Sequence, residues 1–170
     1  MKNLNSQKQD TFQAQLAKFK KLLVGAEMAK LSSIILIVVS LVLAYKSREN
    51  SFNVMLLLIG VLSLVFFIDK FLSIKDIKQK SYTQTSLVSS ISKLKSYMAK
   101  RKKYEMYFMA FWILTLIPSA TTYFESNIIG AIGVVLYIAI VAFMGNLAYK
   151  KTDKEIALLE NTMENELQLQ

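Results

Sequence analysis

Four long apolar stretches constrain this chain more than any other feature. They cover residues 28–45, 52–68, 104–124 and 127–148. A helix that crosses a bilayer needs about 20 mostly apolar residues, with about 17 as the lower limit. Because the stretches occupy so much of the 170 residues, no separate water-soluble domain fits beside them. The sequence therefore predicts an all-α integral membrane protein with four transmembrane helices.

The four stretches are joined in pairs by very short polar links. Residues 46–51 connect the first two stretches and residues 124–127 connect the last two. Links this short place neighbouring helices side by side, so we expect two tight hairpins, 28–68 and 104–148. The whole chain is then a single membrane unit.

Three longer polar segments lie outside the hairpins. Residues 69–103 contain neither Gly nor Pro, so helix is expected to continue from span 2 and return as a helical hairpin between spans 2 and 3. Residues 1–27 carry a narrow apolar face and are predicted as an amphipathic helix. The acidic tail, residues 149–170, carries a similar face. It is expected either to be a solvated extension of span 4 or to dock on the basic central hairpin.

Basic residues are distributed unevenly among these segments. Of the 21 Lys and Arg residues, 19 lie before span 1 or in its first turn (Lys30), between spans 2 and 3, or after span 4. Only Lys46 and Arg48 lie in the alternate links. Because Lys and Arg are concentrated in cytoplasmic loops, both termini and the central hairpin are predicted to be cytoplasmic, in a multi-pass protein of the inner (cytoplasmic) membrane. The net charge of +9 is then explained by anionic lipid headgroups, and no nucleic-acid partner is expected.

Residue types needed for catalysis are scarce. The chain has no Cys and no His, which removes thiolate nucleophiles, His-based metal sites and the commonest general base at neutral pH. The sequence also lacks a Gly-rich phosphate loop and paired intramembrane carboxylates. We therefore expect no enzyme activity, no catalytic residue, no cofactor and no metal.

Two apolar stripes on the predicted cytoplasmic helices are candidate partner-binding surfaces. Helical spacing of four and three residues relates their members. These residues are Leu87, Ile91, Leu94 and Met98 on the returning arm, and Phe12, Leu16 and Phe19 near the amino terminus. Two alternatives are open. The first stripe can pack on the outgoing arm, and the second can lie in the headgroup layer or pack on another helix.

A basic run stands at the predicted entry to span 3. Lys100, Arg101, Lys102 and Lys103 are followed at once by aromatic residues, the combination that marks a membrane interface. We expect this run to anchor the chain on anionic lipid headgroups.

Small and hydroxyl-bearing residues recur within spans 3 and 4. Thr115, Ser119 and Thr122 share one face, and Gly130 and Gly133 stand near the start of span 4. Such residues allow close helix approach, so we expect them to pack helices. The alternative is that the hydroxyl face lines a pore, which would require a homo-oligomer.

The central segment also carries a resemblance. Leu72, Ile74 and Ile77, then Ser81 to Thr83, then Leu87, Ile91 and Leu94 are arranged as in the connector of known membrane proteins. The layout resembles small four-span membrane proteins of Bacteroidota that are encoded beside extracytoplasmic-function sigma factors and regarded as anti-sigma factors. This resemblance implies a regulatory or adaptor protein that binds a cytoplasmic partner, with a sigma factor as one candidate. The alternative function is an oligomeric pore or membrane-perturbing subunit.

Overall fold

Five helices account for most of the chain. The computed structural model describes the backbone of residues 2–123 and 127–168, with side chains for residues 9–122 and 128–165. The helices are α1 (Lys2–Lys46), α2 (Ser51–Phe71), α3 (Gln84–Thr115), α4 (Ile117–Tyr123) and α5 (Asn127–Gln168). The described residues contain no strand, so the prediction of an all-α protein is confirmed.

The helices pack in an order that follows the chain. Helix α1 lies against α2, α2 against α3, and both α3 and α4 lie against α5. Contact between α1 and α5 closes the arrangement weakly. Among the described residues, three helical segments are long and apolar enough to cross a membrane: Gln9–Lys46, Ser51–Phe71 and Ile128–Asn165. These properties are those of a multi-pass membrane protein, as predicted.

Helices α1 and α5 each combine a polar amphipathic segment with an apolar stretch, without a break between them. Helix α2 begins after a short turn, residues 47–50, where the Asn50 side chain accepts a hydrogen bond of 3.2 Å from the backbone N–H of Asn53. This is an N-cap, which satisfies one of the donors that a helix start leaves free. The other predicted turn, 124–127, falls at residues 124–126 outside the described part of the chain.

The expected helical outgoing arm is absent. Helix α2 ends at Phe71, and residues 72–83 form turns in which the Ile74 carbonyl accepts hydrogen bonds from Ile77 and Lys78. The side chains of Leu72, Ile74 and Ile77 are buried. Because non-helical backbone directs these residues inward, tertiary packing outweighs the local tendency to continue the helix. The returning arm starts at Gln84, with Thr83 and Ser86 forming a reciprocal capping box.

The stretch predicted as span 3 is divided between two helices. Helix α3 ends at Thr115, and the Leu116 N–H bonds the Ile113 carbonyl, three residues back. Pro118 follows in the first turn of α4, where a missing backbone N–H removes no helical hydrogen bond. A single continuous helix over 104–124 therefore does not form.

Two separate clusters of buried side chains hold the helices together. One cluster lies in the apolar part of the fold and is built on Leu64, Trp112, Ile113 and Val134. The larger cluster joins the polar portions of α1, α3 and α5 to the 72–83 segment. We call this second region the head bundle and define it as residues 12–26, 72–103 and 149–163. It contains the sequence-predicted partner-binding residues.

Candidate functional site

The predicted partner-binding stripe on α3 forms the centre of the head bundle. Leu87, Ile91 and Leu94 are at most 1% exposed, and Met98 is also buried. Their spacing of four, three and four residues places them on one face of α3, which is the face that the bundle encloses. In this conformation the stripe therefore contacts its own chain and presents no exposed surface.

Three other elements cover that stripe. The buried members of the same cluster are Phe19, Leu23 and Ala26 from α1, Ile74 and Ile77 from the 72–83 segment, and Tyr149, Ile156, Leu159 and Met163 from α5. Of the predicted amino-terminal residues, Phe19 is thus fully enclosed. Phe12 and Leu16 are half-buried and pack against the edge of the cluster.

The acidic segment of α5 docks on α3. Glu160 accepts a hydrogen bond of 2.5 Å from the Lys95 ammonium, and the Asp153 carboxylate lies 3.5 Å from the Lys102 ammonium. The hydrogen bond and charge of Glu160 raise the pKa of Lys95. Both lysines are largely exposed, so these ion pairs align the helix while adding little stability. The buried apolar side chains supply most of the attachment.

The four members of the basic run have different surroundings. Arg101 turns inward and pairs with Glu105, with side chains only 12% and 23% exposed. Lys102 pairs with Asp153, whereas Lys103 lies 5.7 Å above the ring of Tyr104. Lys100 is exposed. Of the four, only Lys100 and Lys103 have no acidic partner within 4 Å in the described residues. The anchoring role of the run stays a prediction.

A compact polar network connects α3 to α5 at the edge of the head bundle. The Arg101 guanidinium bonds both carboxylate oxygens of Glu105, the Tyr149 hydroxyl donates to the same carboxylate, and the Tyr149 ring lies 5.5 Å from the guanidinium. Burial alone would lower the pKa of Arg101, but the hydrogen bond and charge of Glu105 outweigh it and raise that pKa. For the neighbouring Tyr97, whose charged form is the anion, burial acts in the opposite direction and raises the pKa.

Sequence reasoning did not identify Tyr149 as part of this network. The available signal was its place directly after span 4 and before Lys150 and Lys151, where an aromatic residue with a polar end is typical of an interface. The acidic partner was visible as Glu105 four residues after Arg101, the spacing at which side chains on a helix meet.

The predicted helix-packing residues separate into two groups. Thr115 is buried, donates to the Trp112 carbonyl at 2.7 Å, and lies so close to Gly60 of α2 that a Cβ there would overlap it. Gly130 is equally confined, because a Cβ would meet the backbone of Thr121 at 2.8 and 2.9 Å. Thr115 and Gly130 therefore both lie where two helices approach closely.

The other three make weaker contacts or none. The Ser119 hydroxyl is buried without a hydrogen-bond partner in the described residues, and Thr122 is exposed and bonds its own helix at Pro118. A Cβ at Gly133 would meet nothing within 4 Å, so this glycine packs against no helix of the described chain. Ser40, which the sequence did not single out, links α1 to α3 by accepting from the Trp112 indole N–H at 2.8 Å.

Comparison with known proteins gives no relative. No protein-family model, curated protein or solved structure matches this chain. The function must therefore be argued from the site itself. Among the described residues, no group of three or more acidic side chains is placed to hold a metal ion.

Proposed function

We propose that this protein is a four-span adaptor of the inner membrane that captures a cytoplasmic protein through its head bundle. Four spans are supported by connectivity. Segments of α1, α3 and α5 on the same side of the apolar stretches share the head-bundle core, so α5 must begin at the opposite side. The chain returns there through the second half of α3 and through α4. Residues 104–123, divided between α3 and α4, would span about 30 Å at the rise of a helix, which matches a hydrocarbon core.

The cytoplasmic orientation rests on the uneven distribution of basic residues. It is tested with single cysteines, because the chain has none of its own. Ser81→Cys, in the 72–83 segment, should be protected from an impermeant thiol reagent in intact cells. Ser51→Cys, at the start of α2, should be labelled. The reverse pattern would place the head bundle outside the cytoplasm and end the adaptor proposal.

One observation carries the capture hypothesis. The α3 stripe is enclosed by a carboxy-terminal helix segment whose buried residues, Ile156, Leu159 and Met163, follow the pattern of an amphipathic ligand helix in a groove. That segment is bordered by ion pairs with exposed lysines, and it belongs to α5, the last helix in the chain order. A partner helix with a similar apolar face would replace it on the same stripe. Under this proposal, the conformation in which α5 covers the stripe is the closed state of the exchange.

The test compares opened and closed forms of the full-length protein. Leu159→Ala removes a buried contact of the covering segment, whereas Leu158→Ala changes an exposed neighbour. For the closed form, Lys95→Cys and Glu160→Cys, whose native side chains touch, are joined by a short bismaleimide. Co-purification of one cytoplasmic protein from native membranes should rise with Leu159→Ala, stay unchanged with Leu158→Ala, and fall when the helices are joined.

The identity of the captured protein decides whether this adaptor is an anti-sigma factor. The resemblance in the central segment makes a sigma factor the first candidate, to be identified by mass spectrometry of the co-purified band. Capture that is equal in the opened and joined forms would show that the α3 stripe is not the binding surface. The pore is less well supported, since Thr115, one of its three proposed lining residues, is buried against Gly60 within the chain.

A further inference from the structure

A second feature of the head bundle has a different chemistry. A cavity of about 440 Å³ lies between the end of α2, the 72–83 segment and α3, on the surface of the bundle. Its charged lining comes from all three elements: Lys70 from α2, Asp76 from the 72–83 segment, and Lys93 and Lys100 from α3. Side chains distant in sequence therefore converge on one space, which a simple basic run along a helix would not achieve.

Three of these four charged groups form no ion pair within the described residues. Within the described residues, Lys93, Lys100 and Asp76 have no oppositely charged partner within 4 Å, and Lys70 approaches only its neighbour Asp69, at 3.6 Å. Lys95 and Lys102, on the same helix, are by contrast paired with acidic residues of α5. With Lys70 counted as paired to Asp69, Lys93 and Lys100 against Asp76 still leave the cavity with an excess of positive charge.

Neutral groups complete a lining suited to phosphate oxygens. Ser92 and Ser96 stand four residues apart on α3, so their hydroxyls follow one face of the helix along the cavity wall. Ser73 adds a third hydroxyl from the opposite wall. Lysine ammonium and serine hydroxyl groups are common donors to phosphate.

The position of the cavity points to the source of such a phosphate. Its floor includes Phe71, which stacks on Tyr104 with ring centroids 4.3 Å apart and also contacts Phe67 and Phe108. This aromatic cluster stands where the apolar stretches of α2 and α3 end, the level of a membrane interface. Lys70 and Lys100 lie at that level, and Lys93, seven residues before Lys100 on α3, lies about 10 Å above it.

We propose that this cavity is a binding site for one anionic glycerophospholipid, whose headgroup phosphate is held by Lys70 and Lys100. The acyl chains leave past Phe71 along the apolar faces of α2 and α3. Lys93 extends the site beyond the phosphate itself, which suits a headgroup that carries further hydroxyl or phosphate groups. The site rests on the head bundle lying at the membrane surface and is independent of partner capture.

The experiment measures lipid binding to the full-length protein. Delipidated protein in a mild detergent is titrated with phosphatidylglycerol or with phosphatidylcholine and analysed by native mass spectrometry. The wild type should bind one phosphatidylglycerol in preference to phosphatidylcholine. Lys93→Gln with Lys100→Gln should weaken phosphatidylglycerol binding by about 30-fold, since each lysine near an anionic lipid surface contributes about 1 kcal/mol.

Two further variants make the test specific. Lys80→Gln with Lys150→Gln removes the same charge from exposed positions outside the cavity, and should leave the affinity within about twofold. Asp76→Asn removes the one acidic group of the cavity and should increase the affinity several-fold, because it relieves repulsion of the phosphate. A higher affinity in the Asp76→Asn variant cannot be explained by loss of folding.

Several results would overturn the proposal. Equal losses in the Lys93/Lys100 and Lys80/Lys150 pairs would indicate nonspecific attraction to the basic surface. Equal affinity for phosphatidylglycerol and phosphatidylcholine would exclude an anionic-lipid site. Displacement of phosphatidylglycerol by millimolar inorganic phosphate or glycerol phosphate would show that the cavity recognises a soluble phosphate and that the acyl chains contribute nothing.

Discussion

Two adjacent leucines of α5 provide a sensitive test of the head bundle. Leu159 is 3% exposed and belongs to the buried cluster, whereas Leu158 is 60% exposed. Replacing either by Ala removes the same atoms and changes helix propensity by the same small amount. Any difference between the two variants therefore reports the packing of α5 against the rest of the bundle.

The size of the difference follows from burial. Leu→Ala changes at buried sites cost about 2–5 kcal/mol, because transfer free energy is lost and a cavity remains. At the exposed site the expected change is within about 0.5 kcal/mol. A loss of about 2–5 kcal/mol in docking corresponds to an increase of about 30- to 4,000-fold in the population of the undocked segment.

Amide hydrogen exchange of the detergent-solubilised protein measures that population. Peptides covering residues 155–165 should exchange faster by a factor in this range in Leu159→Ala, up to the limit set by the undocked helix. The same peptides in Leu158→Ala should match the wild type. Similar exchange in both variants would refute the docking of α5 on α3, and with it the enclosure of the Leu87–Met98 stripe.

Three other predictions concern the apolar layer and the polar network. Gly130→Ala should lower the thermal midpoint in detergent, because overpacking against Thr121 costs about 1–3 kcal/mol. Gly133→Ala, where the added methyl group meets open space, should leave the midpoint unchanged. Equal midpoints in the two variants would argue against close α4–α5 packing. Ser40→Ala leaves the Trp112 indole N–H without its acceptor and should lower the free energy of unfolding by about 1–3 kcal/mol. It should also shift the fluorescence of this single Trp, whereas Ser32→Ala, at an exposed position, should change neither quantity. Glu105→Gln removes the charge that pairs with the largely buried Arg101 and should destabilise the fold more than Glu155→Gln, which changes an exposed acid of α5. The reverse order of thermal midpoints would contradict the network.

Several features of the fold were predictable from the sequence for a clear physical reason. The length of the apolar stretches determines which helices are able to cross a bilayer, and α1, α2 and α5 carry such stretches in the structure. The periodicity of Leu87, Ile91 and Leu94 determines that they share one face of α3, and that face is buried. Both properties depend on residues close together in sequence.

The tertiary structure decided what each face meets. Helical spacing identifies the α3 stripe as apolar but does not specify whether a partner, the outgoing arm or the tail covers it, and packing selected α1, the 72–83 segment and α5 together. The same packing replaced the expected outgoing helix by turns, because burial of Leu72, Ile74 and Ile77 required a different backbone path. The Arg101–Glu105–Tyr149 network and the lysine-lined cavity likewise combine residues of separate helices. Local sequence determines the faces of helices, and the simultaneous burial of those faces determines which of them come into contact.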